Sequence, residues 1–476
     1  MHDERDERER GRPWRWLVAG SGSGSGSSPR LGRWLAATAA ALTIGLVAHE
    51  YAPPPLGSLG VTPCAAPSGA SPSSVAPRDA SAGPVERAPA AGPVERAPAA
   101  EAEAAPRLTA VRVWPDSDAQ RAELVALARD VWSEHGGPAL DVVLDPEGLA
   151  VLRARSIAFT ELVPDVVAVA RAEHARLSTV DAARPVPPER WFDDYRDLET
   201  IHAYLDELAQ ARPDLVEAST LGHSLQGRPL RVLRIHGTGT GTGTSTGTGT
   251  GTGAGTGSPG VSAQPPARML IDGGLHAREW ISMMVATCVA DRLVRGYDDD
   301  ARLRRFVDEV ELWVLPVANP DGYVHSWQRD RYWRKNRRGE HGVDLNRNFG
   351  LAWGGEGSSD NPASQVYRGE APFSEPESAA IRALLESRRF DAHVDFHSYG
   401  QLLLHPWSYT RQRSPDHRRL QGLATAMVKA IAAEHGERYR LISGASLYPA
   451  AGTLMDWAYG IRGVASFVIE LRPRGG

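Results

Sequence analysis

His276 and Glu279 stand three residues apart in the stretch Leu270-Ile-Asp-Gly-Gly-Leu-His-Ala-Arg-Glu-Trp280. A neutral imidazole and a carboxylate at that spacing are two thirds of a His, His, Glu catalytic zinc site. They face the same way if the turn runs on into helix, because positions i and i+3 share a face there. Taken alone, His-x-x-Glu reads more readily as an exposed polar turn. Of the fifteen histidines, however, only His276 has a Glu three residues on.

Three histidines compete to be the third ligand. His397 ends the strand-like run Ala392-His-Val-Asp-Phe396, His393 lies on the same face of that run, and His405 sits in the next loop. His397 is favoured, because strand ends deliver polar side chains into the crevice of an α/β sheet. His393 is expected to be paired inside the sheet. A second carboxylate, Glu470, ends the apolar run Ala465-Ser-Phe-Val-Ile469. His276, Glu279, His397 and Glu470 therefore all fall at, or just past, the ends of predicted strands.

The elements that must position them are legible from periodicity. Leu215 to Leu221 and Pro229 to Ile235 read as strands joined at Gln226-Gly227, Met269 to Ile271 as a short strand, and Val310 to Val317 as another, ending at the turn Asn319-Pro-Asp-Gly322. Helical patterns cover Leu198 to Arg212, Ile281 to Val294 and Leu420 to Ala433. Ser374-Glu-Pro-Glu377 reads as a capping box opening a helix to about Arg388. Strands alternating with helices predict an α/β fold, a mixed central sheet with helices on both faces.

Upstream, the chain changes character several times. Its 476 residues suggest two or three domains. Residues 1–50 combine a charged, then Gly/Ser-rich start with the apolar run Leu35 to Ala48, about right for a signal-peptide core and short for a membrane span. Export is the expectation, with cleavage or a retained anchor left open. Residues 51–106 are a Pro/Ala-rich linker containing the repeat Ala82 to Ala90, copied at Ala91 to Ala99. Residues 107–178 form a small α+β domain: strands at Leu108 to Val113, Leu140 to Leu144 and Ile157 to Leu162, helices at Asp116 to Trp132, Pro146 to Arg155 and Val166 to Leu177. Residues 179–190 are a Pro-rich joint, and 191–476 hold the candidate site. The Gly-Thr tract 237–257 cannot pack and is read as an insertion between two strands.

Composition excludes some classes. A net charge of −5, from 53 basic and 58 acidic residues, does not suggest a nucleic-acid binder. The two cysteines, Cys64 and Cys288, make no disulfide framework, and Cys288 lies in an apolar helical pattern as core filler.

Seven segments in order make the resemblance specific: Gly274-Leu-His-Ala-Arg-Glu-Trp280, Asn319-Pro-Asp-Gly-Tyr323, Tyr332-Trp-Arg-Lys335, Asp344-Leu-Asn-Arg-Asn348, Asp395-Phe-His-Ser-Tyr399, Tyr448 with Asp456-Trp457, and Ile469-Glu-Leu-Arg472. From roughly Trp191 onward the chain resembles the zinc metallocarboxypeptidases of the pancreatic A/B type. Residues 107–178 are similar to that family's inhibitory pro-segment, of ferredoxin-like fold, which makes 179–190 an activation linker for a trypsin-like protease.

The resemblance implies roles. His276, Glu279 and His397 would hold one Zn2+ per chain, with a position left open for water. Glu470 matches the general base and Arg334 the arginine that stabilises the oxyanion. Asn346 and Arg347 match the pair gripping the substrate's terminal carboxylate, Tyr448 the tyrosine that closes over bound peptide, and Arg278 an accessory subsite arginine. Met455 falls at the floor of the pocket for the C-terminal side chain, implying apolar or aromatic preference. Expected partners are peptide or protein C-termini and an activating protease, with no nucleic acid, and a membrane only if the N-terminal apolar segment is retained. Expected localisation is secreted or extracytoplasmic.

The chain also departs from the pattern. Only six residues follow Glu470, where relatives continue with a helix packed on the sheet; the family's disulfide cannot form, and the Gly-Thr tract is not a family feature. Two other readings remain: a murein-type peptidase, disfavoured by the pro-segment and the lack of wall-binding repeats, and a catalytically inactive relative acting as a binding module.

Overall fold

The computed structural model describes residues 107–132, 139–181, 188–237 and 266–473. The apolar run Leu35 to Ala48, the linker 51–106, Cys64, Arg184 and the Gly-Thr tract beyond Gly237 lie outside the described residues.

The N-terminal unit is a four-stranded antiparallel sheet with helices. In chain order it comprises β1 (Thr109–Val113), α1 (Asp118–Leu127), β2 (Asp130–Val131), β3 (Leu140–Leu144), α2 (Pro146–Ala154), β4 (Phe159–Val163) and α3 (Val166–Asp181), with sheet order β2-β3-β1-β4. One difference from the sequence reading falls at Asp116 to Trp132. The helix stops at Leu127 because Ala128 is extended, and the Asp130 carboxylate accepts from Val131 N and Trp132 Nε1, which holds that stretch as an edge strand.

The larger unit contains α4 (Leu198–Ala211), β5 (Val216–His223), β6 (Pro229–Ile235), β7 (Ala267–Gly273), α5 (Trp280–Arg295), α6 (Ala301–Glu309), β8 (Val310–Leu315) and α7 (Pro320–Gln328). It continues with α8 (Pro376–Ser387), β9 (Ala392–Ser398), β10 (Leu402–His405), α9 (His417–His435), β11 (Arg440–Ser443), α10 (Gly444–Leu447), α11 (Leu454–Arg462) and β12 (Ala465–Leu471). The eight-stranded sheet runs β11-β10-β12-β9-β7-β8-β6-β5. Its four central strands, β12, β9, β7 and β8, are mutually parallel, while β6 pairs antiparallel with β5 and β8, and β10 pairs antiparallel with β12 but parallel with β11. The predicted mixed sheet with helices on both faces is what forms.

Two apolar cores explain why. Met269 and Ile271 of β7, with Leu312 and Val314 of β8, face one side and pack with α4, α5, α6 and α9; Leu270, Trp313 and Leu315 face the other and pack with α8 and α11. Because side chains alternate along a strand, strands buried on both sides must be apolar at nearly every position. The parallel order sends the carboxyl ends of β7, β9 and β12 to one edge, where an α/β sheet opens a crevice.

Two turn readings are corrected. Asn319-Pro-Asp-Gly322 is not a free turn but the start of α7: Asn319 caps it by accepting from Gly322 N, with Pro320 at the first helical position. The Ser374 capping box does not form. Glu375 is the N-cap without a side-chain cap bond, because Ser374 Oγ instead donates to Glu375 and accepts from Asn348 Nδ2.

Candidate metal centre and substrate cleft

The turn from β7 to α5 is tight because glycine allows it. A Cβ on Gly273 would stand 2.7 Å from Ser282 O, and Gly274 has φ +71°. His276 to Glu279 is not helical, contrary to the condition set by the spacing argument. Glu279 is the N-cap of α5, and a turn brings it back onto His276, with Glu279 N donating to His276 O at 3.3 Å. The side chains still meet: His276 Nδ1 lies 2.8 Å from Glu279 Oε1.

His397, near the end of β9, completes the group. Its Nδ1 lies 2.9 Å from Glu279 Oε2 and 3.1 Å from His276 Nδ1. Ligand atoms of His276, Glu279 and His397 all lie within 4.8 Å of one another, and all three residues are buried. The other nitrogens face carboxylates: His276 Nε2 is 3.2 Å from Asp344 Oδ1, and His397 Nε2 is 2.8 Å from Asp395 Oδ2. Those acceptors assign the proton of each neutral ring to Nε2 and leave the Nδ1 lone pairs converging. Two lone pairs and a carboxylate aimed at one point cannot satisfy each other, whereas they fit a tetrahedral divalent cation such as zinc.

Charge around the group is balanced in layers. Burial would raise the Asp344 carboxyl, but Arg334, Arg347 and His276 hold it well below the usual carboxylate range. Arg334 is buried, donates from Nη2 to Asp344 Oδ2 at 3.0 Å, and reaches within 3.9 Å of Glu279 Oε1.

His276, His397, Asn346, Arg347, Tyr448, Met455 and Glu470 line one cleft. Arg347 Nη2 lies 3.5 Å from the Tyr448 hydroxyl, and its Nε donates to Gly357 O. Asn346 is fixed by accepting from Leu454 N at 3.0 Å. Met455 packs in a small apolar cluster with Leu402, Leu404 and Val468. Its neighbour Asp456 is fully buried, its oxygens accepting from Ser408 N and Tyr409 N, so it points at backbone rather than into the cleft. Arg278 is not in the cleft: it donates to Asp130 Oδ2 at 2.8 Å and to Val131 O on β2.

The competing histidines are placed elsewhere. His393 is buried within the sheet between Asp272 and Ser466, as expected, and His405 Nδ1 lies 2.9 Å from Pro406 O. Cys288 is buried in α5. Sequence reasoning missed Asp344 and Asp395 as partners of the imidazoles. Asp395 had a visible signal, since it lies two residues before His397 and so on the same strand face.

The zinc carboxypeptidase (peptidase M14) family model matches residues 201–476. The chain belongs to the zinc carboxypeptidase family. It is 34% identical over 384 residues to zinc carboxypeptidase A 1 of Anopheles gambiae, covering 76% of this chain and 81% of that protein. It is 35% identical over 292 residues to carboxypeptidase B of Bos taurus, where it covers 60% of this chain and just under two thirds (64%) of the relative. Among solved structures it is similar to thrombin activatable fibrinolysis inhibitor, with TM-score 0.66, 28% identity and coverage of 78% and 92%. As a family member the chain is a hydrolase, a metallo-exopeptidase acting on peptides and proteins, and the family implies zinc. No helix among the described residues is long and apolar enough to cross a membrane.

Proposed function

We propose that this zinc carboxypeptidase is an exported zymogen that removes apolar or aromatic residues from peptide C-termini. The observation that carries the reading is that Arg347, Asn346, Tyr448, Met455, His276, His397 and Glu470 all line one cleft. Groups suited to gripping a terminal carboxylate thus share one cleft with the candidate metal ligands and base.

When bound to His276, Glu279 and His397, zinc supplies Lewis-acid polarisation of a carbonyl and acidification of a water. Arg347 and Asn346 grip the terminal carboxylate, the guanidinium matching its planar geometry. Tyr448 closes over the peptide and excludes solvent. Glu470 takes one proton from water as the water oxygen bonds to the scissile carbonyl carbon, and Arg334 stabilises the charge on the carbonyl oxygen. Glu470 then gives the proton to the leaving nitrogen as the C–N bond breaks, releasing a shortened peptide and a free amino acid. In the pocket, Met455 suits Phe, Tyr, Leu or Met, whereas a buried lysine ammonium would lack a counter-charge.

Latency is supported by contacts of the N-terminal unit with residues around the site. Asp130 engages Arg278, Trp132 stacks on Tyr332 with centroids 5.0 Å apart, and Glu173 pairs with Arg331. Held by Asp130, Arg278 is withheld from substrate until that unit leaves. Export is supported by the apolar run Leu35 to Ala48. The test is hydrolysis of a blocked Phe-terminal dipeptide by trypsin-treated protein, against the same peptide with an amidated C-terminus. Cleavage of the free acid alone is expected; equal cleavage of both contradicts an exopeptidase that grips the carboxylate.

A further inference from the structure

One face of β9 is polar where a central strand is ordinarily apolar. His393, Asp395 and His397 alternate along it, opposite Val394 and Phe396, and all are buried. His393 spans three strands, with Nε2 2.6 Å from Asp272 Oδ1 on β7 and Nδ1 2.7 Å from Ser466 Oγ on β12. These are the strands that lead to His276 and Glu279, carry His397, and carry Glu470. His393 is therefore a tie between them, with both ring nitrogens satisfied.

Asp395 is in a different situation. Its Oδ2 faces His397 Nε2, but its Oδ1 has no hydrogen-bond partner, and neither has Asp272 Oδ2. Asp272 and Asp395 are register neighbours on adjacent parallel strands, and neither is exposed to solvent. Two buried carboxyl groups side by side, each with an unsatisfied oxygen, weigh against the fold. In keeping with this, burial and the charge of Asp395 push the Asp272 carboxyl up to about 6. A destabilising arrangement kept in contact with a functional side chain points to function rather than architecture.

We propose that Asp395 is a positioning residue for the metal, holding His397 in the ring orientation and tautomer that present Nδ1, at a cost in fold stability, while His393 is a structural tie. Asp344 stands in the same relation to His276, so each imidazole has its own carboxylate. The inference rests on the zinc reading of the site.

The test uses the full-length chain. Zinc content of the parent is measured first, then zinc Kd by competition with a chromophoric chelator, the visible spectrum of the cobalt-substituted protein, and thermal unfolding of the metal-free protein. Asp395→Ala removes the acceptor and should weaken zinc binding about 10- to 100-fold and shift the cobalt absorption. Asp395→Asn keeps an acceptor oxygen and should fall between parent and Asp395→Ala in zinc Kd, with metal-free unfolding at or above the parent's temperature. His393→Asn should lower the unfolding temperature and leave zinc Kd unchanged. If Asp395→Ala keeps the parent's zinc Kd and cobalt spectrum, Asp395 does not position the metal ligand. If Asp395→Asn instead lowers metal-free stability as His393→Asn does, its role is structural and the proposal fails. A parent that binds no zinc overturns the functional reading and this inference together, whereas a zinc-binding parent with indifferent Asp395 variants overturns the inference alone.

Discussion

Glu470 stands directly opposite His397 in the parallel pairing of β12 with β9. Neighbouring strands lie about 4.8 Å apart, so the proposed base and a proposed metal ligand are fixed relative to each other by backbone register. A loop could not hold that relation as firmly. Moving Glu470 by one residue would turn its side chain to the other face of the sheet.

Release of the N-terminal unit is expected to raise activity. Arg176 lies inside α3 and pairs with Asp194, Arg190 is a largely exposed residue of the 3-10 turn Pro188–Asp193, and Arg184 lies between them. Limited trypsin digestion should therefore cut after Arg184 or Arg190 rather than Arg176, and hydrolysis of a blocked Phe dipeptide should rise by at least tenfold, about 1.4 kcal/mol or more. Full activity in the uncut chain would leave the unit as a folding aid.

Specificity is expected to turn on Met455. Met455→Asp places a carboxylate in the pocket and should shift kcat/KM from Phe- towards Arg- and Lys-terminal dipeptides, because a desolvated cation then has a partner. Asp456 does not do this in the parent, since its oxygens already accept backbone amides. Equal or faster cleavage of the Arg substrate by the parent would mean that another acidic group serves the pocket.

Much of this was legible in the sequence, for identifiable reasons. The apolar runs in β7, β8 and β12, alternating with helical patterns, pointed to a mixed α/β sheet, and polar residues at strand ends marked the cleft. The short β10 and β11 went unread because four-residue runs carry little periodic signal, whereas α6 went unread although its buried Leu303, Phe306 and Val307 stand at helical spacing among charged neighbours. The contact of His276 with Glu279 was anticipated on the assumption of helix, yet it arises from a turn at an N-cap; different backbones can bring i and i+3 together. The engagement of Arg278 by Asp130 was invisible, since it joins residues 148 positions apart.

Stability should depend on pH through Glu377. This carboxyl is fully buried and pushed up from 4.5 to about 7, chiefly by burial, with Asp321 adding to the rise and Leu225 N and Asn336 opposing it. A raised carboxyl favours the folded state below pH 4.5 and loses that contribution as pH rises through about 7. Glu377→Gln should flatten the stability profile across that window relative to the parent and add on the order of 3 kcal/mol at pH 8. A variant less stable than the parent at pH 8 in urea unfolding would contradict this.

The most direct measurement pairs metal content with turnover in the parent and in Glu470→Gln, both after trypsin treatment. The expected result is one zinc per chain in both proteins, hydrolysis of a blocked Phe dipeptide by the parent that stops on chelation, and a loss of at least about a thousandfold in kcat for Glu470→Gln. Near-parental turnover by Glu470→Gln, or a parent that hydrolyses the dipeptide with no zinc bound, would contradict the site assigned to this chain.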